Sequence, residues 1–317
     1  MSTVLRPRYR RFTLLGAAAA LLLAGCGSGP AQAGSAAIIG DTVIPLNLVQ
    51  SRLSTYLDRV PQDGLDAQGQ PQAKLDKTAR DILAFKIQHE LTLRTAERED
   101  VSVSEDTLSQ LLEQAGGAQA LSEGTFFDAD TFRNERARDQ LLQVEIGRKY
   151  ADKLAVTFDY FYAKNTQEAI DKAKQVARDP AKMAEFVRAA REQDAQAGES
   201  NAKATSAESP QLATTLLFGV KAGTVIAFPP AAENGNWIVA HVKERTTNAR
   251  PSADASSQQL TPDVLAGIGL RMVQPVADEI GVKVNPRYGA WDTSVMGLAP
   301  SEAEKAGFQI AIQQTKP

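Results

Sequence analysis

The spacing of apolar positions changes period several times along this chain, and those changes divide it into parts. Ala36 to Thr42 reads as a short strand with a turn at Gly40-Asp41, and Val43 to Pro45 as a second extended piece. Asn47 can cap a helix running to about Arg59, with Leu48, Leu53, Tyr56 and Leu57 as its apolar positions. Residues 61–72 form a polar Gly/Gln/Pro loop. Leu75, Ala79, Ile82, Leu83, Ile87 and Leu91 then recur at helical spacing and predict a helix over 73–98 with one apolar stripe. Ser104, followed by Glu105, Asp106 and Thr107, has the chemistry of a helix start. Asp128 or Asp130 opens a further helix to about Leu154, with Leu142, Ile146, Tyr150 and Leu154 on one face.

At residue 155 the period becomes two. Val156, Phe158, Tyr160 and Tyr162 alternate with Thr157, Asp159 and Phe161, which predicts a strand. A charged helix over 166–192 follows, divided at Pro180. Residues 193–210, rich in Ala, Ser, Glu and Gly, read as a mobile loop, 214–218 as a helical turn, and Gly223 as a turn residue. Trp237 to Val242 is a second strand and 246–260 a linker. Leu265, Ile268, Met272, Val276 and Ile280 restore the helical period, with a kink expected at Pro275. Val282 to Val284 reads as extended, and residues 285–292 as a turn anchored by two aromatics, Tyr288 and Trp291. Beyond 292 a poorly ordered tail is expected.

Composition narrows the chemistry. The chain has 317 residues, formal charge -3, one cysteine and two histidines, His89 and His241. Residues 1–25 hold four arginines and no acid, so the remainder carries about -7. An acidic protein argues against nucleic acid as a partner, because phosphate neutralisation needs a basic face. Two imidazoles far apart in sequence give poor support to a histidine-rich metal site or a Ser-His-Asp triad. His89 reads as a polar-face residue of its helix. The neighbouring carboxylates Glu105/Asp106 and Asp128/Asp130 are explained as helix N-terminal charges rather than acid/base pairs. No glycine-rich stretch fits a phosphate loop or dinucleotide fingerprint. No cofactor, metal or catalytic residue is therefore expected.

The N-terminus has the layout of an export signal. Arg6, Arg8, Arg10 and Arg11 precede the apolar run Leu14 to Ala24, which is too short to span a bilayer as a stable helix. Leu22-Leu23-Ala24-Gly25-Cys26 ends that run and resembles the lipobox of bacterial lipoproteins. The resemblance implies cleavage of residues 1–25, a lipid on Cys26, and a lipid-anchored protein outside the cytoplasm. It also leaves no thiol for a disulfide, a metal or catalysis. Residues 26–35 then read as a flexible tether. Ala31-Gln32-Ala33 offers an alternative site for ordinary signal peptidase, which would give a soluble product. Arg10-Arg11 with Phe12, Leu14 and Leu15 resembles a twin-arginine signal, so the export route stays open.

Two further resemblances set the expected architecture. Ile38-Ile39-Gly40-Asp41-Thr42-Val43-Ile44-Pro45-Leu46 followed by a helix resembles the opening of the SurA N-terminal domain, and Val101-Ser102-Val103-Ser104-Glu105 a later turn of it. Residues 155–246 look like a parvulin-type prolyl isomerase domain. Val156 to Lys164 resembles its first strand, Phe218-Gly219-Val220-Lys221-Ala222-Gly223-Thr224-Val225 its "F-x-L-K-x-G" motif, and Gly235 to Val242 its last strand. Asn285-Pro286-Arg287-Tyr288-Gly289 is similar to a closing motif of SurA-like lipoproteins of actinobacteria. The implied fold is α+β: a discontinuous, mostly helical SurA-like lobe from 36–154 and 260–292, an inserted small α/β domain at 155–246, and a tail at 293–317.

The departures from the family bear on function. Active parvulins carry histidines where Tyr160 and Trp237 stand here, and His241 falls four residues beyond the second position. The resemblance then implies an isomerase fold without its chemistry. The expected function is that of an ATP-independent chaperone or foldase-related factor, holding unfolded or partly folded exported proteins at the outer face of the cell membrane. Alternatives are an active prolyl isomerase using other residues, an assembly scaffold for one envelope complex, and a solute-binding lipoprotein. The last would need two similar α/β halves, which the pattern lacks.

Overall fold

Ser35–Ile39 (β1) and Thr42–Pro45 (β2) form an antiparallel hairpin that turns at Gly40, whose φ of +58° suits a residue without a Cβ. The computed structural model describes residues 34–59, 72–230, 236–250 and 260–313. Leu46–Arg59 (α1) begins one residue before the expected Asn47 cap. Gln72–Arg98 (α2) follows the sequence period closely: Ile82, Leu83, Ile87 and Leu91 are sealed from solvent. Glu105–Gln114 (α3) starts as its sequence dictates, with Ser104 Oγ accepting the Thr107 N–H at 3.1 Å. After Ala118–Ser122 (α4), Asp128 caps Ala129–Thr131 (α5) by accepting the Thr131 N–H at 2.7 Å. The chain then widens into a π-helical stretch, Phe132–Ala137, before Arg138–Tyr150 (α6).

The second half carries Ala155–Ala163 (β3), Thr166–Arg178 (α7), Lys182–Gln193 (α8), Gly198–Thr205 (β4), Pro210–Ala213 (α9), Leu216–Gly219 (α10), Thr224–Phe228 (β5) and Trp237–Thr246 (β6). Pro262–Ile280 (α11) follows, then Val282–Val284 (β7), Ala290–Asp292 (β8), Gly297–Ala299 (β9) and Phe308–Ala311 (β10). All strand pairings are antiparallel. They build a β2-β1-β7 sheet, a five-stranded β10-β5-β6-β3-β4 sheet and a β8-β9 hairpin. The chain is thus a mixture of helices and antiparallel sheets.

Two expectations are corrected. The segment 193–210 is not a mobile loop, for it contains β4. Its Gly, Ser, Asn, Lys and Ala content has little strand propensity, and pairing with β3 overrides it, with Ala202 and Ala204 turned into the core. Nor is the chain poorly ordered throughout beyond 292. Phe308–Ala311 joins the edge of the large sheet through β5, and its Phe308 and Ile310 pack on α7 and α8 with the rest of that apolar face. α11 runs through Pro275 as one helix. The polar loop at 61–72 lies outside the described residues up to position 71, as do residues 251–259 of the linker.

α6 and α11 cross with their main chains in close contact. Gly147 faces the carbonyl of Leu265, and Gly269 faces the carbonyl of Gln143, at distances a Cβ would fill. Farther along α11, Gly219 of α10 meets the Gln274 side chain in the same manner. Backbone contact on this scale lets α11 lie against α6, α10 and one face of the large sheet, burying Leu265, Ile268, Met272 and Phe218. The C-terminal end of α11 packs against α2 instead, through Val273 and Ala277. Immediately past the helix, Gly40 N–H donates to Gly281 O at 3.0 Å, Asn285 N–H to Ala36 O at 2.9 Å, and Asn285 Nδ2 to Ser35 O at 3.1 Å.

α11 also carries a buried cation. The Arg271 guanidinium donates to Thr214 O at 2.7 Å, Ser294 O at 2.8 Å and Gln274 Oε1 at 3.1 Å. Burial pushes its pKa down to about 10, with Asp292 acting the other way. One side chain thus ties α11 to the turn after α9 and to the strand-turn segment around 294.

Because a Cβ at either crossing position would overlap a main-chain carbonyl rather than a pliable side chain, Gly147→Ala and Gly269→Ala should each cost about 3 kcal/mol or abolish folding. Urea unfolding of the two variants checks this. A midpoint unchanged from the parent chain would contradict the backbone contact.

Candidate functional site

The five-stranded sheet has two apolar faces, and both are covered. On one, Val156 and Phe158 of β3, Ile226 and Phe228 of β5 and Ala240 and Val242 of β6 pack against α6, α10 and α11. On the other, Phe161 and Ala163 of β3, Val225 and Ala227 of β5 and Trp237 and Val239 of β6 pack against α7 and α8. Alternation along each strand decides which residue joins which face.

This parity separates the two positions that the parvulin resemblance singles out. Tyr160 lies opposite Ala240 and joins the face turned toward α10 and α11, whereas Trp237 lies opposite Ala163 and is buried under α7 and α8. The two side chains therefore stand on opposite faces of the sheet. Tyr160 is half-buried, and burial followed by Tyr162 and Glu199 holds its phenol above the usual value. Cys26 lies outside the described residues, as does Gly235 at the start of the last-strand motif.

Tyr160 is the middle of an aromatic ladder that leaves the core. Phe158 is buried and its ring centroid lies 5.7 Å from that of Tyr160, which lies 5.9 Å from Tyr162 in an edge-on arrangement. Tyr162 is 39% exposed, and directly across from it on β6 stands half-buried Ile238. With Leu212 packed against the same face, these side chains form an apolar shelf where the sheet emerges from its cover. The alternation of β3 names Tyr160 and Tyr162; the contribution of Ile238 depends on strand register and is invisible in sequence.

His241 points to the other face, opposite Asp159 in register. The Asp159 carboxylate accepts the Asn201 N–H at 2.7 Å and lies 2.7 Å from Lys243 Nζ, which also donates to Asn201 Oδ1 at 2.8 Å. Asn201 sits at φ +57°, so this triangle fixes the irregular pairing of β3 with β4. Burial lowers the His241 pKa, against the pull of Asp159, which keeps the ring neutral near pH 7. Asp159 is committed to Lys243 and Asn201, so Asp159 and His241 form no acid/base relay.

The helices hold a second polar cluster. His89 is not on a solvated polar face: its Nδ1 lies 2.9 Å from both carboxylate oxygens of Asp139, a buried residue of α6, and its ring stacks on Phe85 at 6.1 Å. A histidine read as lying on the polar face of its helix gave no hint of a partner fifty residues away. Beside it, Arg52 Nη2 donates to both Glu135 oxygens at 2.8 and 3.0 Å, and Lys86 Nζ to one at 3.1 Å. Burial would raise the Glu135 carboxyl, but Arg52 and Lys86 hold it below the ordinary range. Glu135 belongs to the π-helical stretch, which aims it between α1 and α2. The sequence-level carboxylates behave as helix-start charges: Asp128 caps, and Glu105 pairs with Arg133 and Arg138.

Asp139 gives a pH test. Burial, then nearby Glu135, raises its pKa above 3.8, while His89 and Lys86 act in the opposite direction. A carboxyl whose folded pKa is raised binds its proton more tightly when folded. Its contribution is fully present below the unfolded value and is lost as pH rises through the folded one. The stability of the parent chain relative to Asp139→Asn should therefore fall as pH rises through the carboxylate range above 3.8. Urea unfolding of both proteins across that range measures the difference. A difference that grows with pH would contradict it.

No protein-family model matches the chain, and no curated protein matches it. Among solved structures the chain is similar to the foldase protein PrsA from Lactococcus lactis, with 11% identity over 79% of this chain and 94% of that one. The TM-score is 0.23. This is a weak structural likeness to a foldase, too slight to assign a fold or a function, and the functional reading rests on the residues themselves.

Proposed function

We propose that this chain is a cell-envelope lipoprotein, anchored to the membrane by a lipid on Cys26. It acts as an ATP-independent chaperone, a foldase-related factor that holds unfolded or partly folded exported polypeptides. In this reading 36–154 and 260–292 make one SurA-like helical lobe and 155–246 an inserted parvulin-like domain that does not catalyse. The pairing of β1 with β7 supports the first part, since it joins residues at the two ends of that lobe.

The observation that carries the binding role is the Tyr160–Tyr162–Ile238 shelf. An aromatic ladder continues from the core to the surface, where an extended apolar segment can lie across it. The observation that argues against isomerisation is the placement of Tyr160 and Trp237 on opposite faces of the sheet. A pair of groups that do not face one cavity cannot grip one prolyl bond.

Uncatalysed Xaa-Pro isomerisation takes tens to hundreds of seconds, so acceleration is easily seen. A protease-coupled prolyl peptide assay on the purified protein should give the uncatalysed rate. Acceleration that disappears in Tyr160→Phe would restore the isomerase alternative. In parallel, the protein should suppress aggregation of several unrelated unfolded proteins. Tyr162→Asp, at an exposed position that the core does not need, should lose most of that effect. Capture of a single folded envelope protein, with no suppression, would favour a dedicated scaffold. Mass spectrometry of the native N-terminus should find an acylated Cys26; a mature chain starting at Gly34 would contradict the anchor.

A further inference from the structure

The aromatic shelf has an acidic rim. β4 is the last strand of the large sheet on that side, and Glu199 stands directly opposite Tyr160 in its register with β3. Directly opposed residues of an antiparallel pair project from the same face, with Cβ atoms about 5 Å apart. The irregularity of this pairing falls between Phe158 and Tyr160, so the Tyr160–Glu199 pair itself is regular. One step farther along, the Tyr162 N–H donates to Ala197 O at 2.9 Å, so a residue with no more than a methyl group stands beside Tyr162.

Three oxygen-bearing groups at this rim are uncommitted. Glu199 is exposed and makes no hydrogen bond or ion pair among the described residues, and the hydroxyls of Tyr160 and Tyr162 have no hydrogen-bond partner there either. The three also act on one another. After burial, Tyr162 and then Glu199 are what hold the Tyr160 phenol above its ordinary value. The cation on this side, Arg191 of α8, draws that phenol down by less, and it forms no ion pair with Glu199. Arg191 lines a separate groove with Val187, Arg188 and Glu192, to which neither Glu199 nor Tyr160 belongs.

A carboxylate and two phenol oxygens beside two aromatic rings suit a cation. An ammonium or guanidinium group can donate to the oxygens while its carbon stem lies along the rings. An acidic side chain in the same place would meet Glu199 as a like charge, and a neutral one would gain the rings alone. From this geometry we infer that Glu199 makes the shelf selective for extended apolar segments that carry lysine or arginine. The cation meets Glu199 and the phenol oxygens, and the neighbouring apolar side chains lie on Tyr162 and Ile238. This rests on the reading of the shelf as the polypeptide-binding surface and adds the class of segment it takes. The negative formal charge of the chain works in the same direction at long range, whereas Glu199 acts at contact.

The test uses the full chain and three labelled peptides, alternating valine with lysine, with glutamine or with glutamate. Fluorescence anisotropy should rank their affinities in that order, the lysine peptide binding about fivefold tighter than the glutamine peptide, as one exposed ion pair allows. Glu199→Gln should remove most of that ratio, and Glu199→Lys should invert the order. Glu199 is exposed on an edge strand, so neither change threatens folding. Glu123→Gln removes the same charge from an exposed position in the helical part and should leave the ratio unchanged, which separates contact from general acidity. Equal binding of the lysine and glutamine peptides, or a preference that survives Glu199→Gln, would overturn the assignment and leave the shelf standing. Tyr162→Ala should weaken all three peptides. If it weakens none, or if no peptide binds the parent chain, the shelf reading fails and this inference fails with it.

Discussion

The contact of α6 with α11 at Gly147 and Gly269 seats the helix that joins the large sheet to the rest of the described structure. Two helices can pack with their main chains touching only where side chains are missing, and here the missing Cβ atoms stand against main-chain carbonyls of the opposite helix. The gain is dispersion over a long, close interface, and the loss is tolerance of any substitution. Once α11 is seated, its one face closes the large sheet through Ile268 and Met272, and its far end meets α2 through Val273 and Ala277. Arg271 then fixes the chain around 294, from which β10 reaches the sheet edge. The aromatic shelf is what that arrangement leaves uncovered.

The closed sheet has a chemical consequence. A prolyl pocket needs groups that converge on one space. Tyr160 and Trp237 diverge by strand parity, His241 is kept neutral by burial, and Asp159 is spent on Lys243 and Asn201. Tyr160, Tyr162 and Ile238 offer apolar area with a polar tip on each phenol. Weak, sequence-tolerant contacts of this kind suit the proposed work on many partly folded chains.

Most local structure was legible because it is local. The stripe of α2, the Ser104 and Asp128 caps, the alternation of β3 and the Pro180 break between α7 and α8 each depend on residues within a few positions of one another. β4 and β10 were not legible, because their strand state comes from partners distant in sequence, β3 and β5. The same holds for the polar clusters: His89 finds Asp139 across fifty residues, and Arg271 finds carbonyls at 214 and 294. The parity that separates Tyr160 from Trp237 could be read within each strand. Which face is covered by which helix could not, since that depends on the helix crossing.

The central claim is that extended polypeptide is held at the shelf on β3 and β6 without being isomerised. Site-specific photocrosslinking tests it most directly. Benzoylphenylalanine placed at Tyr162, and as controls at the exposed apolar positions Val43 and Leu111, is irradiated in the presence of an unfolded exported protein. The account predicts crosslinked client at position 162 well above both controls. Equal crosslinking at all three positions, or none at 162, would contradict it.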